Sequence, residues 1–236
     1  MMHNEWLLLL NLVVVYGGVL VWQVLFKEKG LYCWTVLATI AANIEVMILI
    51  EAFGMQQTLG NILFASTFLV TDILSELYGR KQANNAVNMG IAASVSFIAL
   101  SQFWLHYLPS SADTMFAHIA AVFSNTPRIM LTGLIVYGIV QKFDVWLYHW
   151  WWNFTRVKYG SSERFLWLRN NGSTLISQFL NTVLFTLGAF YGVYEQAVLL
   201  DIIFFSYIIF IVTSLADTPV VYLARYLHQK YNQRAE

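Results

Sequence analysis

The chain alternates long apolar stretches with short polar connections. Seven stretches have about 20 apolar residues, the length that a helix needs to cross the roughly 30 Å hydrocarbon core of a bilayer. In chain order, these segments 1 to 7 are Trp6–Phe26, Leu31–Phe53, Leu59–Tyr78, Ala83–Tyr107, Arg128–Trp150, Thr174–Val193 and Val198–Ala224. The pattern predicts an all-α integral membrane protein, a bundle of seven transmembrane helices with six as the alternative count. Without a linker-like run, residues 1–236 are interpreted as a single domain.

Basic residues are concentrated on one side of this predicted layout. The connections 1–2, 3–4 and 5–6 and the carboxyl-terminal tail hold most of the 13 basic residues, whereas the connections 2–3 and 6–7 hold none. The residues concerned are Lys27, Lys29, Arg80, Lys81, Arg156, Lys158, Arg164, Arg169, Arg225, Lys230 and Arg234. Cytoplasmic loops carry an excess of Lys and Arg. We therefore expect the amino terminus outside and the carboxyl terminus in the cytoplasm.

The composition agrees with a membrane protein and argues against some classes of function. The chain is 58% hydrophobic and 11% charged, against about 25% charged in a typical soluble domain. With a formal net charge of zero, we expect the lipid bilayer and no nucleic acid as a partner. The sequence contains no HExxH, GxSxG or Walker motif, so we expect no enzyme activity, cofactor or metal. The single cysteine, Cys33, excludes an internal disulfide.

Polar residues inside the apolar segments are the candidates for function. A charge at the bilayer centre costs about 2.5–3.5 kcal/mol on insertion scales, so such residues are functional candidates by default. In segments 2, 3, 5 and 6 the candidates for substrate binding are Asn43, Glu45, Asp72, Glu76, Asp144, Trp146, Ser177, Gln178 and Asn181. Because several segments carry polar residues at helical spacing, we expect polar stripes to face a solute pathway inside the bundle.

A purely structural interpretation is also open. Polar side chains can join membrane helices, at about 0.6 kcal/mol per hydrogen bond. Glu76, Asp144 and Asp217 lie near the predicted cytoplasmic ends and could form an ion-pair network with basic residues there. Arg80, one turn from Glu76 on the same predicted face, is one candidate partner. Arg169, Lys142 and Arg225 are others.

Three stretches resemble the VUT family of queuosine precursor transporters. Segment 3 ends in TDILSELYGRKQA, segment 5 contains QKFDVWLYHW, and segment 6 is entered through LWLRNNGSTLISQFLNT. The resemblance spans most of the chain, from about segment 2 to segment 7. Where the family pattern has Asp, this chain has Asn181. An amide cannot titrate, so a proton-coupling role is not expected at that position.

The resemblance implies uptake of 7-cyano-7-deazaguanine, 7-aminomethyl-7-deazaguanine or a related base through the bacterial inner membrane. A carboxylate suits the neighbouring N–H donors of a guanine-like edge. We assign that edge to Asp72 or Glu45 and the remaining polar edge to Gln178 and Asn181. Since flat bases stack on aromatic rings, Trp146 or Phe68 would be the stacking partner.

The mode of transport has alternatives. Because the chain holds no nucleotide-binding motif, we interpret it as a secondary carrier with its site near mid-membrane. One alternative is a substrate-binding subunit that needs a separate ATP-driven module. A membrane-embedded enzyme or a scaffold is the other. A homo-oligomer is left open by the sequence.

Overall fold

The protein is a helical bundle with one short β-hairpin. The computed structural model describes residues 2–124, 127–160 and 165–232, so Arg164 and Arg234 lie outside the described residues. The helices are α1 Met2–Glu45, α2 Asn61–Leu77, α3 Arg80–Trp104, α4 Phe116–Ser124, α5 Pro127–Tyr159, α6 Leu166–Phe190 and α7 Gln196–Asn232. The strands are β1 Leu49–Ala52 and β2 Met55–Thr58. An all-α membrane architecture is what the apolar pattern predicts.

Helix α1 is divided into two legs by a sharp kink. Lys27 has φ 54° and ψ −134°, which is not a helical conformation. Three residues later, a Cβ added at Gly30 would collide with the backbone carbonyl of Trp22. The legs therefore pack closely only because residue 30 has no side chain. They correspond to segments 1 and 2.

Segment 2 differs from its prediction at its carboxyl end. The apolar pattern predicts that this helix extends to Phe53, but α1 ends at Glu45 and a hairpin follows. Phe53 and Gly54 form its turn with φ values of 54° and 71°, the two positive angles of a type I′ turn. The amino end of α1 holds the hairpin through Asn4, whose amide donates to Glu51 O at 2.9 Å.

Helix α2 is the central element of the bundle. Its 17 residues include 13 that are buried, and it packs against α1, α3, α5 and α7. At 1.5 Å per residue it is about 25 Å long, close to the hydrocarbon thickness. Almost every side chain of α2 meets protein, so its polar residues face other helices and not lipid.

The predicted loops contain more helix than expected. The connection 108–126 holds α4, whose Phe123 packs against the rings of Phe97 and Trp104 at 5.8 and 5.7 Å. The connection 151–171 is largely the end of α5 and the start of α6. Arg169, counted among the cytoplasmic loop residues, is therefore a buried residue of α6.

The surface of the bundle is largely apolar, and its interior holds many polar side chains beside the apolar core. Within the described part of the chain, five helices are long and apolar enough to cross a membrane: α1, α3, α5, α6 and α7. Large side chains such as Trp6, Leu10, Val13 and Ile135 are exposed, while many polar ones are buried. This inverted distribution belongs to a multi-pass membrane protein, in which lipid and not water surrounds the helices. The count of seven spans and their orientation stay predictions.

Candidate functional site

A cavity opens in the half of the bundle next to the hairpin. It encloses about 860 Å³ of empty space including its mouth, between the ends of α1, α2, α5, α6 and α7 that lie on that side. Amides and hydroxyls line part of it, among them those of Thr39, Asn43, Asn61, Tyr137, Asn181 and Thr182. The rest of the wall is aromatic and aliphatic. Among the described residues, no Asp, Glu, Lys, Arg or His lines the cavity, so it suits an uncharged ligand with polar edges.

Phe64 organises the aromatic part of the wall. Its ring packs against those of Tyr137 at 6.2 Å and Phe210 at 6.4 Å, so α2, α5 and α7 meet at this point. The hydroxyl of Tyr137 is buried without a hydrogen-bond partner among the described residues. It fits against α3 because Gly90 has no side chain there. The wall thus offers flat rings for stacking and an unused hydroxyl.

A layer of buried polar side chains lies next to the cavity, one to two helical turns further along the same helices. On α5, Gln141 donates from Nε2 to Thr67 Oγ1 of α2 at 2.6 Å. Its carbonyl oxygen accepts from Thr71 Oγ1 at 3.3 Å. The amide is therefore fixed by two hydroxyls of the central helix and holds α2 against α5.

Three aspartates from three helices belong to this layer. Asp72 is 1% exposed, and its Oδ2 accepts from Thr174 Oγ1 of α6 at 3.0 Å. Asp144 of α5 and Asp217 of α7 are equally buried. Neither carboxylate oxygen of these two has a hydrogen-bond partner among the described residues, nor has Asp72 Oδ1. The layer is therefore rich in acceptors that a donor could satisfy.

An ion pair closes the layer on the side away from the hairpin. Arg169 Nη2 lies 2.6 and 2.8 Å from the two carboxylate oxygens of Glu76. Tyr148 donates to the same carboxylate at 2.9 Å, and Arg225 approaches it to 3.6 Å. The guanidinium of Arg169 also lies 4.3 Å from the ring centroid of Trp152. Side chains of α2, α5, α6 and α7 thus meet in one network.

A second cavity begins on the far side of this ion pair. It measures about 620 Å³ including open space, and Glu76, Trp152, Arg169, Arg225 and His228 are among its lining residues. The order along α2, α5, α6 and α7 is the same: hairpin-side cavity, buried polar layer, ion pair, second cavity. On α2, Phe64 and Glu76 are 12 positions apart, about 18 Å along the helix. The two cavities are separated by the polar layer and the ion pair.

The structure distributes the nine predicted site residues over these parts. Asn43 and Asn181 line the hairpin-side cavity. Asp72, Asp144, Ser177 and Gln178 are in the buried layer, Glu76 is in the ion pair, and Glu45 is the half-buried last residue of α1. Trp146 is 47% exposed and stacks on Phe143.

Neither of the predicted stacking partners, Trp146 and Phe68, lines the hairpin-side cavity. Trp146 faces outward, and Phe68 is fully buried against Val136 and Val140. The rings that line the wall, those of Phe64, Phe185, Phe190 and Phe210, were not identified from the sequence. Apolar rings look alike in a span whether they face lipid or a cavity, so no sequence signal separated them.

The interpretation of the acidic residues as members of an ion-pair network is correct for Glu76 and not for Asp144 and Asp217. Glu76 is indeed in an ion-pair network with Arg169 and Arg225. Its partner is not Arg80, whose side chain is exposed at the start of α3. Among the described residues, Asp144 and Asp217 have no cationic partner within 4.0 Å.

Comparisons with known proteins agree on one family. Residues 58–224 match the profile of a family described as "Putative vitamin uptake transporter". The chain is 35% identical over 200 residues to a "Probable queuosine precursor transporter" of Bacillus subtilis, covering 85% of each chain. No solved structure matches this chain significantly.

Proposed function

Because the chain belongs to the vitamin uptake transporter family, we propose that it imports a queuosine precursor through a bacterial cytoplasmic membrane. The proposed cargo is 7-cyano-7-deazaguanine or a related 7-deazaguanine base. The name of the Bacillus subtilis relative supports this class of cargo. The observation that carries the proposal is the hairpin-side cavity, an uncharged space walled by amides, hydroxyls and aromatic rings.

The chemistry of a guanine-like base suits this wall. Its ring is flat and stacks on aromatic side chains, for which Phe64, Phe185 and Phe210 are available. Its carbonyl and amino groups form complementary hydrogen bonds with carboxamides such as those of Asn43 and Asn181. A wall without charge favours the neutral cyano base over the aminomethyl base, because a primary amine is cationic at neutral pH.

The buried layer provides the deeper part of the proposed pathway. A carboxylate accepts the two neighbouring N–H donors of the base, and Asp72 has one oxygen without a partner among the described residues. The carbonyl oxygen of Gln178 also has no hydrogen-bond partner among the described residues, and it is equally buried. We assign the donor edge of the base to Asp72, with Gln178 and Ser177 beside it. Glu45 lies at the hairpin end of α1, where the base would enter.

We assign the Arg169–Glu76 pair to the inner gate. The seven predicted spans place the hairpin outside and the ion pair near the cytoplasm. Opening the gate would break the contacts by which this network joins α2, α5, α6 and α7. Such rearrangement around a central site is how secondary carriers work, and the chain carries no nucleotide-binding motif of its own.

Uptake in cells tests this function. A bacterium that cannot synthesise 7-deazaguanines is supplied with labelled 7-cyano-7-deazaguanine, with and without this chain. We expect uptake only with the chain, reduced in Asn181→Ala and unchanged in Asn153→Ala, a matched change at an exposed position of α5. Uptake that requires an added ATP-driven module would favour the binding-subunit alternative. Absence of uptake with normal membrane insertion would contradict both.

A further inference from the structure

The three buried aspartates hold more negative charge than the ion pair can neutralise. Asp72, Asp144 and Asp217 interact electrostatically with one another. Arg169 is already committed to Glu76, with which it forms three hydrogen bonds at 2.6, 2.8 and 3.1 Å. An isolated charge is costly in such an interior, and three neighbouring negative charges also repel one another.

The neighbours of these acids are few and identifiable. From α1, Tyr16 faces Asp217 and donates its hydroxyl to Thr213 O at 3.3 Å. From α2 come Asp72 itself and Glu76, and Tyr148 is on α5 with Asp144. The groups from α6 are Arg169 and, beside Asp144, the hydroxyls of Ser173 and Ser177. Apart from Arg169, whose guanidinium binds Glu76, these neighbours supply no cation to balance Asp144 and Asp217.

The buried layer contains more hydrogen-bond acceptors than donors, and a bound proton would supply a donor. Among the described residues, no donor lies in good hydrogen-bond geometry to either oxygen of Asp144 or Asp217, or to Gln178 Oε1, an acceptor that is 1% exposed. The nearby hydroxyls are those of Ser173 and Ser177 beside Asp144 and of Tyr16 beside Asp217, and Ser173 and Tyr16 already donate to backbone carbonyl oxygens. Ser177 is therefore the hydroxyl left to donate to Asp144. A carboxylic acid, unlike a carboxylate, carries an O–H that can donate to such acceptors. Binding a proton thus removes charge and supplies a donor in the same step.

We propose that Asp144 and Asp217 form a proton-binding site and that this protein is a proton symporter. The inference rests on the proposed import function and extends it to the coupling ion. A proton enters from the hairpin-side cavity, binds a carboxylate oxygen of the pair, and crosses with the base. It leaves to the second cavity, and the carboxylate is regenerated. Asn181 takes no part in this cycle because its amide cannot bind and release the proton.

Purified full-length protein in liposomes tests the coupling. The vesicles contain a pH-sensitive dye, and labelled 7-cyano-7-deazaguanine is supplied at equal concentration on both sides. With the membrane potential held at zero by potassium and valinomycin, a gradient of one pH unit, acidic outside, should drive accumulation of the base to about tenfold at one proton per base. A protonophore should abolish this accumulation, and a gradient of the base alone should acidify the lumen.

Variants assign the coupling to the pair. Asp144→Asn and Asp217→Asn should each lose the pH-driven accumulation, whereas Asp217→Glu, which keeps a titratable group, should retain part of it. The matched control is Asp201→Asn, an exposed position at the other end of α7, and it should accumulate the base as the wild type does. Loss of proton coupling in the control alone, or full coupling in both pair variants, would overturn the assignment.

The wild-type result decides the proposal even where a variant fails to fold. Rapid exchange of labelled for unlabelled base, without pH-driven accumulation or proton entry, would overturn the proton site and leave the import function standing. Accumulation driven by a sodium gradient at equal pH would also overturn it. If the wild type exchanges no base at all, the proposed function fails and the coupling fails with it.

Discussion

Arg169 of α6 and Glu76 of α2, 93 positions apart in the chain, form a bidentate ion pair with side chains that are 1% and 5% exposed. A buried pair of this kind is held by geometry and not by charge alone, because desolvation offsets much of the attraction. Removing one partner leaves the other charged and buried.

The ion pair gives the first prediction. Arg169→Ala should lower the free energy of unfolding by about 3–5 kcal/mol, since Glu76 is left without its principal partner. Arg80→Ala, at another of the partners that the sequence offers for Glu76, should change it by less than about 0.5 kcal/mol because its side chain is exposed. Thermal unfolding of both variants in detergent measures the difference. Equal losses in the two variants would show that Arg169 has no special role.

Gly133 gives a test of the cavity that leaves its polar groups intact. An added Cβ there would lie 3.7 Å from Asn43 Oδ1 and from the ring of Phe185, so Ala fits and a larger side chain fills the cavity. Gly133→Ala should transport nearly normally, whereas Gly133→Leu should lose most uptake at normal expression. Gly17→Leu is the control, because nothing lies within 4 Å of its Cβ position. Undiminished uptake by Gly133→Leu would exclude this cavity as the path.

Substitutions at Asp72 and Glu76 should have different effects, the first on affinity for the base and the second on protein stability. Asp72→Asn keeps the shape of the side chain but loses the charge, so binding of labelled base should weaken by at least about tenfold, the value of one charge-assisted hydrogen bond. Glu76→Gln should instead reduce expression or thermal stability more than affinity. Equilibrium binding and thermal unfolding are measured on the same samples. The opposite result, with Asp72→Asn binding normally and Glu76→Gln stable but unable to bind, would reverse the assignment.

Topology can be tested without any ligand. The basic residues of the predicted cytoplasmic connections place the carboxyl terminus inside. A reporter fused after Glu236 should therefore be active in the cytoplasm, and one inserted at the Phe53–Gly54 turn should be active outside. Periplasmic activity of the carboxyl-terminal fusion would refute the seven-span layout.

The sequence predicted the helices well because the membrane imposes a simple rule on length and polarity. The prediction was wrong where a segment's length and polarity are compatible with two different structures. The run from Leu49 to Phe53 is apolar enough to continue a helix, and only the turn at Phe53–Gly54 signals the hairpin. The apolar pattern places Arg169 in the connection between segments 5 and 6, whereas it is a buried residue of α6 whose pairing with Glu76 is one of the alternatives that the sequence leaves open.

The sequence indicates the polar residue types of the candidate site but not the contacts between them. Buried Asp72 and Gln178 follow from the cost of polar groups in lipid. The hydrogen bond from Thr174 to Asp72 joins residues 102 positions apart, and no spacing in the sequence encodes it. The choice of Phe64 over Trp146 as a wall residue depends on the rotation of each helix about its axis. That rotation is set by packing between helices, which a single sequence does not show.

Exchange of labelled base by the purified protein measures import through this chain without any other component. Liposomes that contain only this chain are loaded with unlabelled 7-cyano-7-deazaguanine and diluted, without ATP, into buffer with a trace of labelled base. Import through this chain alone predicts rapid uptake of label by the wild type and almost none by Gly133→Leu or by empty liposomes. Uptake of label no faster in wild-type than in empty liposomes, with the protein folded in the membrane, would contradict import by this chain.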